Sequence, residues 1–457
     1  MGPRLPGASG PLARPRGVLI TICLISLATI WLCRLPKMCL SGQDTISQHT
    51  TVTHLNPPAP PPVDLSKADS PFIPWPLARV CSESTSWTPG VVFVCDNNSG
   101  GIGNIRNYIL TCIRYAIEAG ASGLVVPRIS TRSEKDLSNL MLGQRDFSYF
   151  FDEAHFRRSL RAACPQFTLY NTTADIPHAP DPFKAEMITP RNFGLRGGCD
   201  QRELNKHTGV FDKAFRKHIE QSALDFSLPP PSVEHPRIIR FTWGVQWDWP
   251  VFRDGPEFAA SYGGLLRFHP DILGLAQRAA GYMREYAVRN GESRKFAGFH
   301  LRTENDALSR WPKFDEQSGA YLERAGAMGF KAAYLATGNQ TEAAKLTKAA
   351  REKYDMAVVT KHELLKSHPD DLAALEAMTW DQQGLVDFVV LLECEYFFGV
   401  SPSSFSMTVA GKRHLKAEGL YTRPWRIGGD GDGRSWLVGK YEHHWEDWLF
   451  MFDSLWP

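Results

Sequence analysis

Apolar and polar positions along the chain follow two periods. Short β-branched or aromatic runs predict buried strands, and apolar residues three and four positions apart predict helices that bury one face. From residue 91 onward the two kinds of segment alternate, which predicts mostly parallel, doubly wound sheets. The predicted strands are 91–95, 124–127, 238–241, 296–301, 333–337, 356–360 and 396–400, and the predicted helices are 105–119, 271–288, 342–354, 385–393 and 403–414.

Two of the predicted strand-to-helix turns favour anion binding. Strand 91–95 is followed by Asp96-Asn97-Asn98-Ser99-Gly100-Gly101-Ile102-Gly103-Asn104. Glycines allow close backbone approach, and the start of the next helix offers unpaired amides at a positive dipole end. Strand 396–400 is followed by Ser401-Pro402-Ser403-Ser404-Phe405-Ser406, whose hydroxyls can donate to a phosphate. A sharp turn that needs glycine and an ordinary serine N-cap are the structural alternatives.

A third strand end carries an arginine. Arg302 directly follows the predicted strand 296–301, at the edge where open α/β sheets bind their ligands. Its planar fork can hold two phosphate oxygens, although an arginine extending from a strand end into solvent fits this motif equally well. Two Rossmann-like halves, each with an anion-binding strand end, predict an enzyme that grips a nucleotide sugar in the cleft between them.

The amino-terminal part has a different composition. Gly17 to Cys33 contains no ionised side chain and has basic flanks. It predicts a cytoplasmic tail over 1–16 and a transmembrane signal anchor over 17–35, with a cleaved signal peptide as the alternative. Residues 36–89, rich in Pro, Ser and Thr, predict a semi-rigid stem. We therefore expect a single-pass type II protein of the Golgi or endoplasmic reticulum membrane, with a lumenal body.

The body is large enough for two domains. We expect one over 90–270, with the glycine loop and the acceptor side, and one over 271–457, which binds the nucleotide sugar and includes a C-terminal helix. The net charge of +2 and the lack of a long basic run give no electrostatic basis for nucleic-acid binding.

The sequence gives no clear sign of a metal site and does not determine the disulfide pairing. No Cys/His spacing typical of zinc occurs, and we interpret Asp430-Gly431-Asp432 as a turn rather than a metal-binding Asp-x-Asp, so no metal is expected. An odd number of cysteines follows the anchor, so at least one is unpaired or pairs between chains. They are Cys39, Cys81, Cys95, Cys112, Cys164, Cys199 and Cys394.

Three glycosylation sequons, at Asn97, Asn171 and Asn339, are compatible with the secretory pathway. Because Asn97 lies in the predicted ligand loop, where a glycan would obstruct the site, we expect it to be unmodified.

From about Val91 to about His414 the chain resembles the GDP-fucose O-fucosyltransferase superfamily. The matching residues are Gly100-Gly101-Ile102-Gly103-Asn104, Phe151-Asp152 with His155-Phe156, His300-Leu301-Arg302 with Glu304 and Asp306, Asp387, and Ser403-Ser404-Phe405-Ser406. The resemblance implies the GT-B arrangement of two Rossmann-like domains facing a cleft. It also implies transfer that inverts the anomeric carbon and needs no metal.

The resemblance assigns roles to individual positions. Arg302 would hold the β-phosphate and stabilise the leaving GDP, with Asn104 beside the diphosphate. The other implied donor contacts are Gly101, Gly103, His300, Asp387, Ser403, Ser404 and Phe405. For the general base, Asp96 is the nearest candidate by sequence and Glu304 and Asp306 are alternatives, although we expect Glu304 to pair with Arg302 instead.

These observations favour an inverting glycosyltransferase that moves fucose from GDP-fucose, its donor substrate, to a hydroxyl of a protein or glycan acceptor. The alternatives are the same fold using another nucleotide sugar, and a non-catalytic protein that binds a nucleotide sugar or glycan. The acceptor cannot be derived. Trp243, Trp247 and Trp249 could wall an acceptor groove, but a packed core is the more common role of such a cluster.

Overall fold

A computed structural model describes residues 63–84, 86–179, 185–189, 192, 209–242, 247, 249–251, 253–304, 311–401, 403–418, 432–439 and 454–457. All of them lie within one compact unit, Pro61–Pro457. No helix in these ranges is long and apolar enough to cross a bilayer. The predicted tail, the predicted anchor and residues 36–62 of the predicted stem lie outside the described residues.

The described residues form strands and helices that alternate along much of the chain. The strands are β1 Thr88–Val94, β2 Ala121–Val125, β3 Ile129–Thr131, β4 Gly143–Arg145, β5 Thr168–Tyr170, β6 Glu186–Ile188, β7 Arg237–Phe241, β8 Ala297–His300, β9 Ala332–Ala336, β10 Ala357–Val359, β11 Tyr396–Val400 and β12 Ser435–Val438. The helices are α1 Trp75–Glu83, α2 Ile102–Glu118, α3 Glu153–Ala163, α4 Phe211–Asp225, α5 Pro256–Ser261, α6 Pro270–Arg289, α7 Phe314–Ala327, α8 Gln340–Tyr354, α9 Lys361–Leu365, α10 Pro369–Glu376, α11 Trp380–Leu392 and α12 Ser404–Glu418.

Two five-stranded sheets organise the body. The first has the order β5-β2-β1-β7-β6 and the second the order β10-β9-β8-β11-β12, and neighbouring strands in both run parallel. A separate antiparallel ribbon pairs β3 with β4. We call residues 63–269, with the first sheet, the first half, and residues 270–439, with the second sheet, the second half. The predicted α/β fold with parallel sheets is confirmed.

The central strands are the ones that the sequence predicts most closely. Every residue of β8, β9 and β11 is buried, as is the Val91–Val94 part of β1. Strands covered on both faces must be apolar throughout, which produces the uninterrupted runs. The strands β5, β6 and β12 were not predicted. All three are short and lie at sheet edges. Partial exposure removes the apolar signal from β5 and β6, whereas three of the four residues of β12 are buried.

The body begins earlier than the predicted stem boundary at residue 89. Helix α1 buries Leu77, Val80 and Cys81, and a disulfide joins Cys81 to Cys164 at the end of α3. Apolar positions three and four apart signal this helix, but the surrounding Pro-rich composition conceals them. Part of the predicted stem, helix α1, therefore belongs to the packed body.

A second disulfide connects β1 to α2 through Cys95 and Cys112, on either side of the glycine loop. Among the described cysteines, Cys394 is a buried free thiol. Cys39 and Cys199 lie outside the described residues.

The two halves meet where α2 packs against α12. The end of the chain also returns to α2, where Arg106 Nη2 donates to the Pro457 carbonyl oxygen at 2.7 Å and the Trp456 amide donates to Asn107 at 3.1 Å. A C-terminal helix beyond α12 would fall on residues 419–431 or 440–453, which lie outside the described residues.

Candidate functional site

A cavity of about 250 Å³ lies between the carboxyl ends of the strands of the two sheets. The first half contributes Gly100, Gly101, Ile102, Asn104, Arg132 and Leu140. The second half contributes His300, Arg302, Glu304, Trp311, Ala336, Thr337, Gly338, Lys361, Trp380, Asp381, Gly384, Asp387, Ser403, Ser404 and Phe405. The structure thus brings eight of the ten predicted site residues to one cavity, and leaves Asp96 and Gly103 away from its lining.

The glycine loop forms the wall from the first half. Gly100 has φ +91°, a conformation that L side chains rarely adopt, so glycine is needed there for its backbone conformation. No side chain caps α2 at its N-cap, Gly101. The first turn of α2 therefore presents backbone N–H groups and a positive dipole end beside the cavity.

Gly103 has a packing role. A Cβ atom at Gly103 would lie 2.6 Å from the Ser404 carbonyl carbon, so the glycine allows the starts of α2 and α12 to approach closely. Gly103 therefore supports the site indirectly, through its contact with the Ser404 backbone of the second half. The predicted donor contact at Gly103 is not seen in the cavity lining.

Arg302 is held by its backbone and by its side chain. Buried Gln317 accepts a hydrogen bond from the Arg302 amide at 3.0 Å and donates one to the Arg302 carbonyl oxygen at 3.0 Å. Arg302 Nη1 pairs with Glu304 Oε2 at 2.6 Å, and its side chain is 17% exposed. The guanidinium is thus fixed at the end of β8 while part of it remains accessible from the cavity.

Glu304 acts as the anchor for Arg302. Its other carboxylate oxygen accepts a hydrogen bond from the Gly338 amide at 2.7 Å. Burial alone would raise the pKa of Glu304, but Arg302 and the Gly338 amide outweigh it and lower that pKa. A carboxylate held ionised by two partners is a poor proton acceptor, which agrees with the structural role expected for it.

His300 is buried in the second half as a neutral ring. Its Nδ1 lies 2.7 Å from Ser406 Oγ, and its ring centroid is 4.4 Å from that of Phe405. Burial lowers the pKa of His300 to about 3, with a further lowering by Arg302 and an opposing effect of Glu304. The ring therefore supplies shape and hydrogen bonding to the cavity without positive charge.

Asp387 is fixed by two partners inside the cavity. Tyr334 Oη donates to Asp387 Oδ1 at 2.6 Å, and Lys361 Nζ pairs with Asp387 Oδ2 at 2.7 Å. Lys361 was not predicted. It follows β10, so the rule that ligand residues come after strand ends would have found it.

A third ion pair at the cavity joins the first half to the second. Arg132 Nε from the first half pairs with Asp381 Oδ1 from the second at 2.9 Å, and both side chains are 9% exposed. The guanidinium carbon lies 4.3 Å from the Trp380 ring centroid. Burial raises the pKa of Asp381 and Arg132 opposes that effect.

The sequence offered a signal for this pair that the prediction did not use. Thr379 and Gln382 form a capping box, which starts α11 at Trp380 instead of the predicted residue 385. The earlier start places Asp381, Gly384 and Asp387 at successive turns of one helix, and all three line the cavity.

Asp96, the candidate base nearest by sequence, is not among the residues that line the cavity. Its Oδ2 pairs with Arg240 at 3.1 Å, and its carbonyl oxygen accepts a hydrogen bond from Gln144. It therefore joins the glycine loop to the neighbouring strand β7. Asp306, the other alternative, lies outside the described residues.

The other matching motif residues build the scaffold. The Asp152 side chain caps α3 by accepting from the His155 amide, and His155 Nε2 lies 2.9 Å from the Gly264 carbonyl oxygen. Trp247 and Trp249 are buried, with ring centroids 4.9 and 5.1 Å from that of Tyr115. These two tryptophans form packed core and no groove wall, while Trp243 lies outside the described residues.

The chemistry of the lining suits an anionic ligand rich in oxygen acceptors. Within the described ranges, no group of three or more His, Cys, Asp or Glu residues is placed to hold a metal ion. Trp311 Nε1 is buried and has no hydrogen-bond partner among the described residues, so it can donate to a ligand. Together with the arginines and helix amides, it offers donors for phosphate oxygens.

Asp432, part of the predicted turn, is buried and accepts hydrogen bonds from the Arg434 and Ser435 amides ahead of β12. This arrangement is that of a turn, and its carboxylate also lies 3.2 Å from His414 Nδ1. Asp430 and Gly431 lie outside the described residues.

Comparison with known proteins places the chain in a family. A family model described as GDP-fucose protein O-fucosyltransferase matches residues 92–416. A search of curated proteins finds no match. Among solved structures, POFUT1 in complex with GDP-fucose is 15% identical with a TM-score of 0.44, covering 78% of this chain and 99% of that chain.

Two further solved structures are similar to this chain. A mutant of Arabidopsis thaliana FUT1 in complex with GDP is 13% identical with a TM-score of 0.36, covering 74% of this chain and 71% of that chain. The fucosyltransferase NodZ from Bradyrhizobium is 14% identical with a TM-score of 0.33, covering 72% and 92%. Because the family match spans most of its length, the chain belongs to the GDP-fucose protein O-fucosyltransferase family.

Proposed function

We propose that this protein is an inverting glycosyltransferase that transfers fucose from GDP-fucose to a hydroxyl of a protein or glycan. One observation carries the proposal: Arg302, fixed through its backbone and by Glu304, faces a cavity whose opposite wall is the glycine loop at the start of α2. A fixed cation opposite a helix amino terminus is suited to a diphosphate.

Departure of GDP sets the electrostatic demand on the site. The bond from the sugar to the β-phosphate breaks, and negative charge builds on the phosphate oxygens. Arg302 and the amides at the starts of α2 and α12 are aimed at that charge before the reaction begins. Groups arranged in advance for a developing charge lower the barrier, because they need no reorganisation during the reaction.

The three carboxylates that line the cavity are all paired with cations. Glu304 pairs with Arg302, Asp381 with Arg132, and Asp387 with Lys361. Each of the three carboxylates is already engaged by a cation before an acceptor arrives. We therefore propose that stabilisation of the departing GDP contributes more to catalysis than proton removal from the acceptor by any of these three groups.

We further propose that the reaction needs no metal and takes place in the lumen of the Golgi or endoplasmic reticulum. The cations named above supply positive charge at the diphosphate. The disulfides Cys81–Cys164 and Cys95–Cys112 fit an oxidising compartment. Residues 17–35 would hold the protein in the bilayer as a single-pass type II membrane protein.

Donor turnover tests the proposal. The purified full-length protein would be incubated with EDTA and either GDP-fucose, GDP-mannose or UDP-galactose, with and without a mixture of secretory glycoproteins. Of the three donors, we expect only GDP-fucose to release its nucleotide. The release should be faster when acceptor is present. Turnover of another donor in preference, or activity that requires added Mg²⁺ or Mn²⁺, would contradict it. The anomeric configuration of the product, read by NMR, tests inversion.

A further inference from the structure

Helix α11 carries cavity residues from the second half, but its first turn is bound by the first half. The Trp380 amide donates to Glu134 Oε1 at 2.8 Å, and Tyr149 Oη lies 2.6 Å from Thr379 Oγ1. Gln382 Nε2 donates to the Tyr149 carbonyl oxygen at 3.0 Å. The amino-terminal turn of α11 is therefore positioned by residues that precede it by more than two hundred positions in the chain.

Arg132 is the charged centre of these contacts. Its Nε pairs with Asp381, its guanidinium lies over the Trp380 ring, and both charged side chains are nine-tenths buried. On its other side, Arg132 adjoins the glycine loop, since a Cβ atom at Gly101 would lie 3.7 Å from Arg132 Nη2. One side chain thus contacts α11 of the second half and lies beside the loop of the first half that faces the diphosphate.

We infer that Arg132 is a positioning residue for the nucleotide donor, acting through Asp381 and Trp380 to hold the two walls of the cavity at the separation that the donor requires. This inference rests on the proposed function. A donor must contact the glycine loop on one wall and Arg302, Ser403 and Ser404 on the other. Binding is strongest when the walls are already held at that separation, because the ligand then does not have to order them.

The variant Asp381→Asn separates positioning from direct electrostatics. It removes a negative charge from a cavity that binds an anion, so a purely electrostatic effect would strengthen GDP binding. Loss of positioning would weaken it, because the amide no longer holds Arg132 as an ion pair. Trp380→Phe provides a second test, since it retains an aromatic ring but reduces the surface beneath the guanidinium.

GDP affinity would be measured by calorimetry in EDTA for the full-length protein and for each variant. We expect Asp381→Asn and Arg132→Ala each to weaken GDP binding by about tenfold, within the usual range for coupling between sites. The double variant should bind GDP no more weakly than the weaker single variant, because both changes break the same contact. In turnover assays, the KM for GDP-fucose should rise and kcat should fall.

A matched control is available within the second half. Arg278 Nε and Nη2 contact Asp371 Oδ1 at 2.9 and 2.8 Å, so this arginine–aspartate pair joins α6 to α10 away from the cavity. Arg278→Ala and Asp371→Asn should leave GDP affinity unchanged. Thermal unfolding of every variant would identify any that fail to fold, and hydrogen exchange in the first turn of α11 should be faster in Asp381→Asn than in wild type.

The outcomes separate this inference from the proposed function. If the wild-type protein binds no GDP, the proposed function fails. If the wild type binds GDP but folded Asp381→Asn binds it as tightly or more tightly, the positioning role of Arg132 is overturned while the proposed function stands. Weaker binding in Asp381→Asn together with unchanged binding in the Arg278 and Asp371 variants supports the positioning role.

Discussion

At the scale of single residues, the site depends on side chains whose partners hold them ready for a ligand. Gln317 fixes the Arg302 backbone on both sides, and Glu304 fixes its guanidinium. Gln317 and Glu304 leave part of the Arg302 side chain facing the cavity. Such support lowers the cost of ordering a long side chain when the ligand binds.

Arg302→Ala should reduce kcat by about 100- to 1000-fold, the usual effect of removing one group that stabilises developing charge. The change also leaves Glu304 buried without its cation, which would lower stability. The double variant Arg302→Ala/Glu304→Gln removes that stability cost and should remain inactive. Arg289→Ala, at an exposed position in α6, serves as the control. Activity in the folded double variant would refute the role of Arg302.

His300 should make the free energy of unfolding depend on pH. Burial lowers its pKa from 6.5 to about 3 in the folded protein. Between these values the unfolded chain binds a proton and the folded protein does not, so the stability present above pH 6.5 is lost as the pH falls toward 3. Urea unfolding at pH 7 and pH 5 should show a smaller loss in His300→Gln than in wild type. Equal losses would show that His300 is not buried as a neutral ring.

At the scale of secondary structure, the site depends on the close crossing of two helices at their starts. The Gly103 position allows α2 to approach the Ser404 backbone of α12, which brings the glycine loop and the serine turn to the same cavity. Backbone atoms cannot rotate aside as a flexible side chain can. An added methyl group would therefore force the two helices apart.

Gly103→Ala should lower the free energy of unfolding by about 1–3 kcal/mol, the usual cost of overpacking, and should also weaken GDP binding. Gly281→Ala is the matched control. It lies within α6, a Cβ atom there meets nothing within 4 Å, and it should raise stability by about 0.5–1 kcal/mol. Denaturant unfolding and calorimetry would measure both. Unchanged stability and GDP affinity in Gly103→Ala would contradict the close-packing role.

The sequence predicted the central strands, which are buried on both faces, and missed the edge strands β5, β6 and β12 and the helices α4 and α7. Strands β8, β9 and β11 gave continuous apolar runs because both faces are covered. Strand β6 has an exposed Met187 and lies at a sheet edge, so its pattern resembled that of a loop. Arg302 and Ser403, which follow predicted strands, were assigned to the site by that position together with the family resemblance.

The rest of the site depends on contacts between distant parts of the chain. The pairs Arg132–Asp381 and Lys361–Asp387 join residues from different elements, and no local pattern reports such a contact. The placement of Asp96 also depends on such a contact. The residue follows β1 as a cavity residue would, but Arg240 on the neighbouring strand binds its carboxylate.

At the scale of the whole molecule, the disulfide Cys81–Cys164 attaches the segment before the first sheet to the first half. It closes a loop with a sequence separation of 83 residues. Replacing both cysteines by serine should lower the free energy of unfolding by about 2–4 kcal/mol, since a crosslink restricts the unfolded chain. Denaturant unfolding under non-reducing conditions would measure this, with Cys394→Ser as the single-thiol comparison. No loss of stability would show that the bond does not form.

We expect the cavity between the two sheets to bind the guanine nucleotide of a fucose donor without metal. Calorimetric titration of the purified protein in EDTA with GDP, GDP-fucose, UDP and GDP-mannose tests it most directly. We predict binding of GDP and GDP-fucose, weaker binding of GDP-mannose, no binding of UDP, and loss of GDP binding in Arg302→Ala. Preference for UDP, or no nucleotide binding by the folded wild-type protein, would contradict this expectation.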